Sequence, residues 1–290
     1  MKNIVSILLL SIALVGYAKE PPWVIGLDAD MSAVAASGGE AIKRGALIAI
    51  DEINANGGVL GRQVELKILD HRGNPARGVD NILAFSKEQN LIAVLGGVHT
   101  PVVLAELEVI HANKILYLVP WAAGTSVVDN GFEPNFVFRV SVRDEHAGKV
   151  LTQAVKKENV TKVGLLLERT GWGRSNEISM EAALKDQGLS VSTVQWFNWG
   201  EKDFSSQIKA LDYAGSQSVF LVSNAPEGAE FIKQYSNSEL ETVPVYSHWG
   251  IAGGAFVKLA GLPNISKIDL TVLQTFEFAH NSSKTEKSVI

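Results

Sequence analysis

The chain has 290 residues, enough for one large or two medium domains with packed cores, and its 46% hydrophobic and 20% charged residues mark an ordinary globular composition. Its formal charge is −5, with no basic block and no interleaving of aromatic and basic residues, which argues against nucleic acid as a partner. It has no cysteine, so disulfides, thiolate nucleophiles and cysteine-ligated metals are excluded.

The first residues read as a secretory signal: Lys2 gives a positive start, Ile4–Val15 an apolar core, and Gly16-Tyr17-Ala18 small residues for cleavage after Ala18. The apolar run is short of the ~20 residues that span a bilayer. Val24–Leu27 is the first predicted strand, followed by the loop Asp28-Ala29-Asp30-Met31-Ser32. Ser37 with Glu40 three residues on is a capping-box signal, opening a helix with Ile42, Ala46, Ala49, Ile50 and Ile53 on its inner face. A strand over Val64–Leu69 follows. Asn74-Pro75 then predicts an N-cap with proline at the first helical position, and Val79, Ile82 and Leu83 face inward. Strand Leu91–Leu95 exits at Gly96-Gly97-Val98-His99-Thr100-Pro101, where Thr100 reads as the next helix cap.

Ile115–Ser126 is the stretch around which the rest is organised. Ile115–Val119 has the length and composition of a buried strand. Pro120 ends it, and Trp121-Ala122-Ala123-Gly124 offers an apolar face and approachable amides in a small-residue loop. Phe136–Val142 leads into the charged segment Arg143-Asp144-Glu145-His146, after which the pattern restarts with a helix from about Gly148 to Glu158, strand Lys162–Leu167 and loop Glu168–Arg174. Helix Asn176–Gln187, strand Leu189–Gln195, helix Phe204–Ala214, strand Val219–Val222, helix Glu227–Asn237 and strand Val243–Tyr246 complete the series, and a last apolar strand near Leu273–Phe276 marks a second crossing. Strands followed by helices in each of the two series mean parallel sheets with right-handed crossovers. The expected fold class is therefore α/β, as two doubly wound parallel-sheet lobes over residues 19–139 and 140–274, with 275–290 returning to the first.

No motif for a nucleophile elbow, phosphate loop, zinc helix or dinucleotide fold appears, and the six His are never at ligand spacing on one helix. No catalytic residue, metal or cofactor is expected, and no enzymatic activity. Binding features are richer. Asp30, Thr100, Trp121–Ala123, Trp172 and Trp249 all follow strands, where ligands sit in open α/β sheets. Three tryptophans at equivalent positions point to a shared pocket, and the helix beginning at Thr100 offers free amides and a positive dipole end to an anion.

The motifs A-I-K-R-G-A, D-E-I-N-A-N-G-G-V-L-G-R, D-H-R-G-N-P-A, V-L-G-G, L-V-P-W-A-A and G-E-K-D-F-S, in this order between Val24 and Phe278, resemble the periplasmic leucine/isoleucine/valine-binding proteins, which are type I solute-binding proteins of ABC importers. The resemblance implies two lobes joined by a hinge and closing on a small molecule, a monomer, and a permease in the inner membrane as partner; with no cysteine near Ala18 for lipid attachment, the product is expected free in the periplasm. It implies that Thr100 and the main chain of Trp121-Ala122-Ala123 hold the ligand's carboxylate. Trp172 matches the family's first pocket tyrosine, a second falls at Asn224, and the acid that receives the ammonium falls at Trp249. That departure puts an ordinary α-amino acid in question unless Asp28 or Asp30 substitutes, and the three tryptophan faces suit an aromatic or apolar carboxylate, or a cation held by cation–π contact. The chain ends in polar His280–Ser288, short of the family's length, so the first lobe is expected to be incomplete. A ligand-sensing module feeding a signalling partner is the alternative.

Overall fold

The computed structural model describes residues 20–252 and 254–275. The expected signal segment 1–18 and all but the first residue of the return segment 275–290 lie outside them.

Ten strands and nine α-helices lie among the described residues and alternate, except that strand follows strand at the fourth and fifth and helix follows helix at the eighth and ninth: β1 (Trp23–Ala29), α1 (Ala36–Ala55), β2 (Val64–Asp70), α2 (Pro75–Phe85), β3 (Leu91–Gly96), α3 (Thr100–Ala112), β4 (Tyr117–Val119) and β5 (Val137–Arg139) form the first lobe. α4 (Asp144–Lys156), β6 (Lys162–Glu168), α5 (Gly171–Asp186), β7 (Ser190–Phe197), α6 (Ser205–Tyr213), β8 (Ser218–Val222), α7 (Ala225–Ser236), β9 (Val245–Ser247), α8 (Phe256–Ala260), α9 (Leu262–Ile265) and β10 (Leu270–Val272) form the second. The sheets run β2-β1-β3-β4-β5 and β10-β9-β8-β6-β7, every pairing parallel. Taken from the first strand of each lobe, both orders are 2-1-3-4-5, the doubly wound arrangement, with switch points between β1 and β3 and between β6 and β8.

Covering both sheet faces with helices explains the continuous apolar runs of the strands. In β6, Leu166 packs with Phe197, Phe204 and Phe231 on one side, and Leu165 and Leu167 pack with Met180 and Phe220 on the other. The first-lobe core gathers Ile82, Phe85, Val94, Ile110 and Tyr117. Inside it lies a buried carboxyl pair. Tyr117 donates to Glu106 at 2.6 Å and Asn81 to Asp28 at 2.6 Å. Burial first, then the neighbouring Glu106, push Asp28 up to about 10, and burial raises Glu106 as well, so the pair keeps a proton at neutral pH. Among the described residues no helix is long and apolar enough to cross a membrane.

Several expected details differ. The capping box does not form: Ser37 lies inside α1, and Glu40 pairs with Lys43 and Arg44 at 3.1 and 3.0 Å. Asp30 organises that turn instead, accepting from the amides of Ala33 and Ala35 at 2.6 and 2.9 Å. Of the expected inner face of α1 only Ile50 is buried; Ala49 and Ile53 are exposed, because α1 packs mainly on β1 and the edge strand β2. Asn74 does cap α2, accepting from Ala76 and Arg77, while Leu83 points out and Phe85 takes the inner place. α4 starts at Asp144 rather than near 148, with Asp144 and Glu145 in its first turn where the helix dipole favours acids. The strand after α8 is β10, over Leu270–Val272, paired to β9 within the second sheet.

Candidate functional site

The carboxyl ends of the two sheets face one cleft. At each switch point successive crossovers leave to opposite sides, so the loops part and leave a crevice. The first-lobe wall comes from the loops after β3 and β4, through Thr100, Trp121, Ala122 and Ala123. The second-lobe wall comes from the ends of β6, β8 and β9, through Glu168, Trp172, Asn224 and Trp249.

On the first wall, Thr100 is the first residue of α3 rather than its cap, a place taken by His99. Its Oγ1 accepts the Gly124 amide at 3.1 Å, which leaves the hydroxyl hydrogen free to be donated elsewhere. Arg139 clamps the loop from below, donating to the Ala123 carbonyl at 2.7 Å and to the Gly124 carbonyl, and the Asp144 amide reaches the Ala123 carbonyl at 3.0 Å. Burial lowers Arg139 to about 10, so it stays charged at neutral pH. The expectation for Ala122 is corrected here: its amide donates to the Gly97 carbonyl at 2.8 Å and is not free for an anion. Ala122 lines the cleft with its side chain, and in this loop the amides of Trp121 and Ala123 are the ones left without a partner among the described residues.

On the second wall, Trp172 lies in the first turn of α5, not in a loop. Thr170 caps this helix by accepting from Trp172 and Gly173 at 3.2 and 3.5 Å. The Trp172 indole donates to Asp144 Oδ1 at 3.0 Å, and His248 Nε2 meets the same oxygen at 3.1 Å. Since His248 Nδ1 accepts the Trp249 amide at 3.0 Å, its proton sits on Nε2. His248 thus has a structural role, stacking edge-on to Trp172 with centroids 4.9 Å apart. Glycine is required at 250, where a Cβ would come within 2.7 Å of the Trp172 ring and 2.2 Å of the Ser223 carbonyl oxygen.

Glu168 and Trp199 escaped the sequence reading. Glu168 ends β6 as its only acid and is 1% exposed. Three donors converge on it: Thr170 Oγ1 at 2.6 Å on Oε1, and Trp199 Nε1 at 3.0 Å with Asn224 Nδ2 at 2.9 Å on Oε2. Burial pushes its carboxyl up to about 7 against the pull of those donors, with the Glu227 carboxylate adding to the rise. A charged residue closing an otherwise apolar strand was the available signal.

Asp30 stands behind the wall rather than in it. Besides the two amides above, it accepts from the Ser32 amide at 3.3 Å and faces His99 Nε2 at 2.9 Å. Burial works to raise its carboxyl, but His99 and the amides of Ala35 and Ala33 outweigh that and hold it at about 2. It therefore fixes His99, which packs on Trp199 of the other lobe with centroids 4.9 Å apart. A second contact between lobes runs from the Thr125 amide to Ser175 Oγ at 3.1 Å.

The lobes are closed on each other. The free room in the cleft is about 10 Å³, of the order of one water sphere, whereas ligand pockets run to roughly 300–1,000 Å³. A recess of about 180 Å³ adjoins it, between Pro120, Trp121 and Ser141 on one side and Trp249 and Gln274 on the other. Three helices, α3, α5 and α7, begin at the cleft, at Thr100, Gly171 and Ala225, and turn their positive dipole ends toward it.

Residues 22–285 match the family described as periplasmic binding protein. The Leu/Ile/Val-binding protein homolog 3 of Brucella melitensis is 27% identical over 237 residues, 79% of this chain and 64% of that protein. The Leu/Ile/Val-binding protein BraC3 of Rhizobium johnstonii is 28% identical over 213 residues, 72% of this chain and 57% of that one. The chain thus spans less than two thirds of the length of these relatives. Among solved structures, a leucine binding protein of Thermotoga maritima superposes with a TM-score of 0.82 at 20% identity, covering 92% of this chain and 74% of the other. A solute binding protein of R. palustris in complex with 4-hydroxybenzoate gives 0.80 at 20% identity, covering 92% and 72%. These superpositions show the type I periplasmic binding protein fold.

Proposed function

The chain belongs to the periplasmic binding protein family, and from that premise we propose that it captures a small carboxylate-bearing molecule between its lobes in the periplasm and delivers it to an ABC permease, with no chemistry of its own. One observation carries this reading. The hydroxyl of Thr100, whose hydrogen is not used by the Gly124 bond, the uncommitted amide of Ala123 and three helix N-termini meet in one cleft with Trp121, Trp172 and Trp249. The donors and dipole ends suit an anionic group. The indoles give the ligand body apolar faces.

Entry requires the lobes to part about the crossings at Val140–Arg143 and near Gln274, since the closed cleft is far too small for an organic ligand. A ligand that contacts both walls stabilises the closed form by its differential affinity for it. The named relatives and the 4-hydroxybenzoate complex support two ligand classes, branched-chain amino acids and aromatic carboxylates. Isothermal titration of the purified protein against L-leucine, L-isoleucine, L-valine, benzoate and 4-hydroxybenzoate tests the reading. At least one compound is expected to bind, and Thr100→Ala to weaken it. Wild-type affinity in that variant, or no binding by any of the five, overturns it.

A further inference from the structure

We infer that Glu168 receives a positively charged group of the ligand, so that the two ends of a zwitterion are held by opposite lobes, the anion by Thr100 and Ala123 and the cation by the end of β6. The inference rests on the proposed binding site and names its substrate class.

Glu168 lines the same closed cleft as Thr100 and Ala123, from the other wall. All three of its polar partners are donors, Thr170 Oγ1, Trp199 Nε1 and Asn224 Nδ2, and they converge on carboxylate oxygens. An environment made only of donors is built for the ionised form, because a protonated carboxyl needs an acceptor for its own hydrogen. Yet among the described residues no lysine, arginine or histidine forms an ion pair with it, while Glu227 adds a second negative charge nearby. A buried carboxylate without a counter-charge is costly. Its elevated proton affinity, about 7, records that cost. The missing positive charge is the group a ligand would bring. Glu168 also has capacity for one: Oε1 accepts a single hydrogen bond, from Thr170, and a carboxylate has about four acceptor sites in all.

The position where the family resemblance places an ammonium-binding acid holds Trp249, a residue 7% exposed. Glu168 supplies the charge from a different strand of the same wall. A ligand bridging Thr100 and Glu168 pulls the two lobes together through charge-assisted contacts at both ends, which ties recognition of a zwitterion to closure.

Two matched pairs of probes test this by isothermal titration: L-isoleucine with 3-methylpentanoate, and L-phenylalanine with 3-phenylpropanoate. Within each pair only the ammonium differs. For whichever pair binds, the amino acid is expected to bind at least about tenfold tighter, the effect of one charge-assisted hydrogen bond. Glu168→Gln is expected to bring the two within about threefold, and Glu168→Asp, which keeps the charge, to retain a preference for the amino acid. A deaminated acid that binds wild-type protein as well as its amino acid, or a preference that survives in Glu168→Gln, overturns the inference; the first of these needs no variant to fold. Binding of the deaminated acids alone, weakened by Thr100→Ala, would leave the anion site standing and remove only the role of Glu168. Failure of all four probes counts against the inference, and the wider carboxylate panel then decides whether the binding site itself stands.

Discussion

Thr100→Val separates what the hydroxyl does for the fold from what it does for the ligand. Valine keeps the shape and removes the oxygen. In the protein, the Gly124 amide then loses its acceptor at a residue only 2% exposed, a cost of roughly 1–3 kcal/mol. For a domain of this class that lowers Tm by a few degrees, about 2–4 °C per kcal/mol. In the complex, a hydrogen bond to a charged group is worth about 1.5–3 kcal/mol, so affinity for an anionic ligand falls about 10- to 150-fold. Thr100→Ser restores the oxygen and is expected to recover most of both. The assay is paired: scanning calorimetry of the free proteins, and isothermal titration with L-isoleucine and 4-hydroxybenzoate. If Tm falls in Thr100→Val while the dissociation constant of whichever compound binds stays at its wild-type value, the hydroxyl only ties two loops together, and the anion site fails.

Two further outcomes follow from the described geometry. Because the folded Asp28 carboxyl is raised to about 10 from an ordinary value of 3.8, the native chain holds a proton that the unfolded chain releases, so this group's contribution to stability falls as pH rises from about 4 towards 10; Asp28→Asn is expected to flatten Tm against pH over that window, and parallel curves for the two proteins would contradict it. Trp199→Ala removes the ring that meets His99 across the lobes, and through that lost contact of about 0.5–1.5 kcal/mol is expected to weaken every ligand by at least about 2-fold; Trp199→Phe keeps the contact and should recover that part, and titrations showing no loss in Trp199→Ala refute the contact's role.

The two-lobe α/β architecture was legible because central strands such as β3, β6 and β8 are short apolar runs, largely buried, and each is followed by a segment of helical periodicity. The strand order was not, since parallel neighbours such as β6 and β8 are separated by a whole βαβ crossover and their run of leucines and valines pairs equally well in any order. Local polar signals misled where tertiary partners compete. Ser37 and Glu40 have capping-box spacing, but Asp30 satisfies the amides before α1 and leaves Glu40 to Lys43 and Arg44. Asp30 itself reads as a candidate ligand for the same reason it is unavailable: an acid after a buried strand finds amides and a histidine first. Trp121, Trp172 and Trp249 were legible as a set because they recur at strand ends. Glu168 was missed because a single acid at the end of β6 looks like the start of a solvated loop, and only the closing of Thr170, Trp199 and Asn224 around it shows otherwise.

The central claim is that two lobes close on a ligand held between them, and the absence of cysteine makes it directly measurable. Cysteines introduced at the exposed positions Arg77 on α2 and Lys209 on α6 accept spin labels without interference, one on each lobe. Pulsed electron resonance of that pair is expected to show a broad or two-peaked distance distribution in free protein that collapses to one short distance when the compound that binds in calorimetry is saturating. A single distance that no bound compound alters would contradict the account.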